Sequence, residues 1–228
     1  MADFETLFSR YDRLFFFDTE TTGLHANRDE IIEFAAVVVE KVNGKHQIVK
    51  EYDELITLSP GKTVSPEIQK LTGISNEDIA AHGIPKDRAC REVMEMLEGN
   101  TLLLAYNAHF DLCFLYYMLL RDGDPSILKG KDKIDLLTVY KDRRPFPHKL
   151  CNAIEAYNLQ DRFVNSHRAV DDVIATVAVT EEMEKERGDL ENYVNLFGFN
   201  PKFGPPSMRI GSIIYKPQPY EAPNPIYI

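Results

Sequence analysis

Cysteine is scarce in this chain. Three occur in 228 residues, Cys90, Cys113 and Cys151, and no two stand in a CxxC pair. Odd in number and widely spaced, they exclude a disulfide framework and read as reduced, mostly buried thiols. Long hydrophobic runs are missing too. None approaches the ~20 residues a membrane span needs, and the opening MADFETLFSRYDR has neither the basic start nor the apolar stretch of a secretory leader. A soluble, cytoplasmic protein with no membrane partner is the expectation. Internal repeats and low-complexity tracts are absent. Positive charge is in deficit, with 26 Lys and Arg against 36 Asp and Glu and a net charge of −10. That deficit argues against gripping long duplexes by phosphate neutralisation. It leaves room for a nucleic-acid enzyme, because bound divalent ions would cancel part of an acidic cluster where substrate sits.

The remaining composition is that of a globular protein, 44% hydrophobic and 27% charged. A chain of this length buries roughly 70% of its unfolded surface and needs no staples. Its most informative stretch runs from Leu14 to Leu24, LFFFDTETTGL. Four bulky apolar residues without helical spacing predict a strand buried on both faces. Asp18 and Glu20 follow two residues apart, which puts both carboxylates on one side of a strand. Thr21, Thr22 and Gly23 end it, with Gly23 supplying the positive φ of a tight turn. Paired carboxylates at the mouth of a buried strand call for a cation, and oxygen-only ligands suit Mg²⁺ or Mn²⁺. The plainer alternative is a pair of solvated acids on a half-exposed strand end.

Taken in order, residues 1–12 read as a short lead-in helix or coil. Ile31 to Glu40, rich in β-branched residues, predicts a second strand, and Asn43-Gly44 is a strong hairpin signal leading to a third strand around Gln47 to Leu58. Three strands so joined make an antiparallel meander. Ser65-Pro66-Glu67 opens a short helix that Gly73 closes, and Ser75 to Ala81 holds another turn of helix. Pro85 to Glu98 is helical in spacing, Leu102 to Tyr106 is a second buried strand, and Asn107 to Arg121 is a strongly apolar helix. Ile134 to Val139 is a short strand or a helix start. Helices are expected from about His148 to Asn158 and from Ala169 to Arg187. A meander followed by strands alternating with helices predicts an α/β fold, a mixed sheet with helices on its faces.

Lys129, Lys131, Lys133, Lys141, Arg143, Arg144 and Lys149 form a basic run, read either as a solvated surface or as a phosphate site. The end of the chain differs in character. Seven of thirteen prolines fall between Pro201 and Pro225, interleaved with aromatics from Phe197 to Tyr227. Proline excludes regular helix and the aromatics argue against simple disorder. Residues 1–196 are therefore expected to form the domain, and residues 197–228 an extended arm packed on it or on a partner, with one strand at Ile210 to Tyr215.

Two further acidic positions could join Asp18 and Glu20. Asp111, in YNAHFD, enters an apolar helix straight after a buried strand; a charge there is isolated without a cation or donor, although the helix macrodipole alone favours such an acid. His167 stands just before the long helix in SHRAVDD, five residues from Asp172. FFDTETTGL, YNAHFD and HRAVDD, in this order and spacing, resemble the three motifs of the DEDD exonuclease superfamily. More narrowly they are similar to its histidine branch, which contains the DnaQ-like proofreading subunit of bacterial replicative polymerases. HKLCNAIEAYNL resembles the helix before the third motif, so the likeness spans roughly residues 13 to 187.

The resemblance implies a ribonuclease H-like fold with a five-stranded mixed sheet whose first three strands are antiparallel. It implies four metal-binding carboxylates, Asp18, Glu20, Asp111 and Asp172, two Mg²⁺ or Mn²⁺ ions, and His167 as general base. Thr21, Leu24, Asn107 and Phe110 match positions that line the terminal nucleotides, Leu24 as a wedge and Phe110 as a stacking surface. The implied activity is 3′–5′ exonucleolytic release of nucleoside monophosphates from single-stranded or frayed 3′ ends, with DNA favoured by the TETTG wording. A ribonuclease of the same fold and a non-catalytic nucleic-acid-binding module are the alternatives. The arm leaves two docking partners open, a polymerase or a second copy of the chain. Tyr106 departs from the histidine many members carry there. Asp171 and Asp172 are both available in the third motif; helical periodicity does not choose between them, and the family spacing selects Asp172.

Overall fold

A computed structural model describes residues 4–163, 168–221, 223 and 225–227. Helix α1 (Glu5–Phe8) leads into strand β1 (Arg13–Thr21), followed by β2 (Ile31–Val42) and β3 (Lys45–Leu55). β1 pairs antiparallel with β2, and β2 with β3, so the expected meander is present. Asn43 and Gly44 both take positive φ at the β2–β3 turn, the requirement of the tight hairpin their sequence announces. Helices α2 (Pro66–Thr72), α3 (Asn76–His82) and α4 (Lys86–Met96) come next. Ser65 caps α2 at Ile68 N, and Ser75 and Asp78 form a capping box on α3. β4 (Thr101–Ala105) runs parallel to β1 and leads to α5 (Ala108–Asp122). β5 (Lys133–Asp135), parallel to β4, passes directly into α6 (Leu136–Arg143), so the ambiguous segment is both strand and helix. α7 (Leu150–Ala156) and α8 (Ala169–Arg187) complete the domain. The sheet order β3-β2-β1-β4-β5 makes a mixed five-stranded sheet.

Alternation along the strands divides the interior in two. Leu14 and Phe16 of β1, with Ala35, Val37 and Val39 of β2, face α6, α7 and α8. Phe15 and Phe17, with Phe34, Ala36 and Val38, face α4 and α5. The period of two therefore decides the placement of the site. Asp18 and Glu20 continue the even-numbered face toward α8, while Thr19 continues the odd-numbered face toward α5. Pairing of β1 with β4 stops at Phe16 and Leu104, so the last residues of β1 extend past the sheet on that side.

The basic run is partly structural. Lys133, Lys141 and Arg143 are buried; Arg143 forms ion pairs with Asp189 and Glu186, and Arg144 pairs with Glu186. The strand of the arm lies at Ile214–Pro217 (β7), four residues beyond its expected start, and pairs in parallel with β6 (Leu196–Phe199). That two-stranded unit sits beside β5, with Asn195 N donating to Lys133 O. Phe197 is fully buried, and Gly198 has no Cβ to obstruct the Gln218 side chain, which donates to Thr138 O and Asp142 Oδ1. Ile226 N donates to the other oxygen of Asp142.

Deleting residues 197–228 would strip these partners from a buried carboxylate and expose the Phe197 site. Burial of one such ring contributes about 1.5–3 kcal/mol, and each buried polar group left unpaired costs about 1–3 kcal/mol. The truncated chain is expected to melt markedly lower and to exchange amide protons in β5 and α6 faster. An unchanged melting temperature would show the arm to be a loosely attached appendage.

Candidate active site

The two helices that carry site residues both begin without a cap of their own. Asn107, at φ 69° in the left-handed region, turns the chain sharply from β4 into α5 and makes no side-chain cap. Asp135, at the end of β5, supplies the missing acceptor: its Oδ1 takes Ala108 N at 3.0 Å, while its Oδ2 takes the Thr138 hydroxyl. Arg168 precedes α8, again with no side-chain cap. Here Glu33 of β2 does the work, its Oε2 accepting from Ala169 N at 2.8 Å and its Oε1 from the Arg168 guanidinium. A carboxylate is favourable at either helix start because it meets unpaired N–H groups and the positive end of the macrodipole.

Glu33 lies directly across from Glu20 in the β1–β2 register. Like charges opposite each other are destabilising, and the Arg168 ion pair offsets this one. A register shift follows immediately, between Glu20 and Thr21, and bulges of this kind re-aim a strand's side chains at a site. Oxygen atoms of Asp18, Glu20 and Asp172 lie within 4.8 Å of one another. Asp111 approaches from the opposite face of the sheet and stays just outside that close group. Its Oδ1 accepts from Thr19 N at 3.0 Å and from Thr19 Oγ at 2.7 Å. Those bonds are available because β1 has outrun β4.

Burial, followed by the charges of Asp111, Asp172, Glu20 and Glu33, holds the Asp18 carboxyl well above its usual range. Burial and the neighbouring Asp172 push Glu20 up to about 8. Burial raises Asp111 as well, against the lowering effect of the two Thr19 hydrogen bonds. Among the described residues the donor set is oxygen alone, anionic and crowded, which fits a hard divalent cation such as Mg²⁺ or Mn²⁺.

A pH dependence follows. Glu20 holds its proton more tightly folded than unfolded, so its contribution to stability is complete below its ordinary value of 4.5 and is lost as pH rises through about 8. In EDTA the melting temperature is expected to rise as pH is lowered from 8 to 6, and added Mg²⁺ at pH 8 should recover much of the difference. A flat profile in EDTA would mean the carboxylates do not repel one another.

Among the other expected site residues, Leu24 is 79% exposed on the 22–30 loop and lines a cavity of about 410 Å³ with Phe110. Thr21 and Asn107 do not line it; the Thr21 hydroxyl turns back to Gly23 O. Gly23 itself departs from expectation, because its φ is not positive. What glycine gives there is room for the Asp29 carboxylate, since a Cβ would stand 2.5 Å from Asp29 Oδ2 and push that side chain aside. Of the two candidate aspartates, Asp172 is the buried one within the carboxylate group. His167 lies outside the described residues. Three contributors escaped sequence reasoning: Glu33, Asp135 and Thr19. Glu33 did leave a signal, a single charge inside the apolar strand IIEFAAVVV. No helix among the described residues is long and apolar enough to cross a membrane.

A family model described as an exonuclease, RNase_T, matches residues 15–180. The PolC-type DNA polymerase III of Latilactobacillus sakei subsp. sakei (strain 23K) is 30% identical over 190 residues, 82% of this chain and 12% of that protein. The 3′-5′ exonuclease DinG of Bacillus subtilis (strain 168) is 36% identical over 176 residues, 75% of this chain and 17% of that protein. The chain thus spans less than a fifth of the length of these curated relatives. Among solved structures, E. coli Exonuclease I in complex with a dA16 oligonucleotide superposes with a TM-score of 0.69 at 22% identity, over 80% of this chain and 42% of that one. At that identity the likeness is one of fold.

Proposed function

The chain belongs to the exonuclease family of DnaQ-like, DEDD-type enzymes, and from that premise we propose that it is a metal-dependent 3′–5′ exonuclease releasing nucleoside monophosphates from the 3′ ends of DNA. The observation that carries the reading is the crowded carboxylate group of Asp18, Glu20 and Asp172 with Asp111 beside it. A scaffold gains nothing from gathering four mutually repelling acids, Asp111 and Asp172 buried and Asp18 and Glu20 half-buried; a cation site requires them.

In this reading Asp18, Glu20, Asp111 and Asp172 hold two divalent ions. Such ions, when bound, neutralise charge on a scissile phosphate and make a water more acidic. His167 accepts the proton of the attacking water as the new P–O bond forms. The P–O3′ bond breaks, leaving a 3′-hydroxyl on the shortened strand and a free nucleoside 5′-monophosphate. Leu24 wedges between the last two bases and Phe110 stacks on one of them, which favours frayed or single-stranded ends. Thr21 and Asn107 lie off the Leu24 and Phe110 cavity, so no base contact is assigned to them. Thr19 keeps Asp111 turned toward the site, and Glu33 fixes the head of the helix that carries Asp172. DNA is favoured because the relatives' names describe a DNA polymerase and the oligonucleotide bound to Exonuclease I is dA16. A DNA polymerase is, on the same ground, the partner class to test for the arm.

The test uses matched DNA and RNA oligonucleotides, single- and double-stranded, labelled at the 5′ end and incubated with Mg²⁺ or Mn²⁺. A ladder shortening one nucleotide at a time, faster for single-stranded DNA, is expected. Faster RNA shortening would move the substrate to RNA, and internal cuts would contradict an exonuclease altogether.

A further inference from the structure

The arm does more than cover the domain. Its 206–212 segment crosses the first half of α5 and lines two cavities, one on each side, which meet at Met208. The first is the 410 Å³ cavity lined by Leu24 and by Phe110, the residue before Asp111. The second, of about 460 Å³, has a different chemistry. Tyr116, Leu128 and Ile210 make its apolar wall, and Lys129, Lys133 and Arg209 its polar one. Among the described residues no aspartate or glutamate lines it, although the chain as a whole carries ten more acidic than basic side chains.

Each part is built for contact. Tyr116 is 38% exposed on the outer face of α5, and Lys129 and Arg209 are exposed on the rim. Lys133 is buried; its amine donates to Lys131 O and Ser212 Oγ, and burial lowers its pKa against the favourable charge of Asp132. Among the described residues no carboxylate hydrogen-bonds this ammonium, and an anion at the cavity would offset the cost of burying it. The arm is fixed over α5 by Tyr215, whose hydroxyl bonds His109 Nδ1 at 3.0 Å and accepts from Ile210 N.

We propose that this second cavity is a distal binding site for the nucleic-acid strand: a base several nucleotides from the 3′ end stacks on Tyr116 while the adjoining phosphates meet Lys129, Lys133 and Arg209. An exposed aromatic interleaved with cations is the combination that binds single strands without reading sequence. The site rests on the exonuclease reading, since the strand reaches it by way of the Leu24 and Phe110 cavity. Tyr116, Lys129 and Lys133 belong to the residues matched to the family, and the arm, outside them, completes the site with Arg209.

The test compares the full-length protein with Lys129→Gln/Arg209→Gln and with Tyr116→Ala, each on a DNA dinucleotide and a single-stranded 12-mer. Both variants should raise KM for the 12-mer on the order of 10-fold and leave turnover of the dinucleotide unchanged. Anisotropy of a labelled 12-mer in EDTA should show a salt dependence shallower by about 1.4 in the double variant, two phosphate contacts at about 0.7 each. Wild-type KM for the 12-mer in both variants, with an unaltered salt slope, would overturn the distal site while leaving the exonuclease intact. A wild-type protein that degrades neither substrate would instead overturn the exonuclease reading, and anisotropy would still report on the cavity.

Discussion

Asp18→Asn is expected to bring nuclease activity below detection while leaving the protein as stable as before, or more stable, in metal-free buffer. The two effects have one origin. Asp18 is held by burial and by four neighbouring carboxylates in a state that disfavours its charge, so the neutral isostere removes repulsion from the resting fold. The same charge is what a divalent ion needs. Asn keeps the shape and one oxygen but loses the anion, and the remaining three acids bind cations more weakly. Thermal melting in EDTA beside a nuclease assay in Mg²⁺ separates the outcomes. A clear fall in melting temperature accompanying the lost activity would mark Asp18 as a structural residue.

His167→Ala should lower turnover by roughly 10²–10⁴-fold, the usual worth of a positioned general base, with metal affinity almost unchanged. The histidine side chain titrates near 6.5 when unperturbed, so in the wild type the rate should fall on the acid side as the ring protonates and can no longer accept a proton. The pH profile distinguishes this role from simple packing at the helix start. A base predicts that the acid limb of the profile is lost in the variant; packing predicts a profile of unaltered shape. Losing Asp111 instead should weaken metal binding together with turnover, because a carboxylate that holds the ion would be gone. Wild-type turnover in His167→Ala between pH 6 and 9 would remove the histidine from the chemistry.

Local rules made most of the scaffold legible. The FFFDTE run announced a buried strand with two acids on one side, Asn43-Gly44 announced a hairpin, and the Ala169–Arg187 helix ends where Gly188 stands. Those features depend on residues a few positions apart. What sequence reasoning missed depends on residues far apart. Glu33 caps a helix 136 positions away, and Asp135 caps one 27 positions back; neither pairing has a local signature. Gly23 was legible as a special position but for the wrong reason, because its neighbour Asp29 becomes visible only once the loop closes. The basic run misled for a related cause. Arg143 and Arg144 answer to Glu186 and Asp189 at the end of α8, more than forty residues along the chain, whereas Lys129 and Lys133 find a different setting against the arm. Charge along the chain gave the number of cations and not their partners.

If the acid cluster is a divalent-cation site whose carboxylates repel one another until it is filled, metal-free protein titrated calorimetrically with Mn²⁺ at pH 8 should bind two ions saturably, with no substrate present. Loading should raise the melting temperature, and Asp18→Asn should lose the binding. Absence of Mn²⁺ binding in the wild-type protein, or equal binding by Asp18→Asn, would show that the cluster is not a cation site.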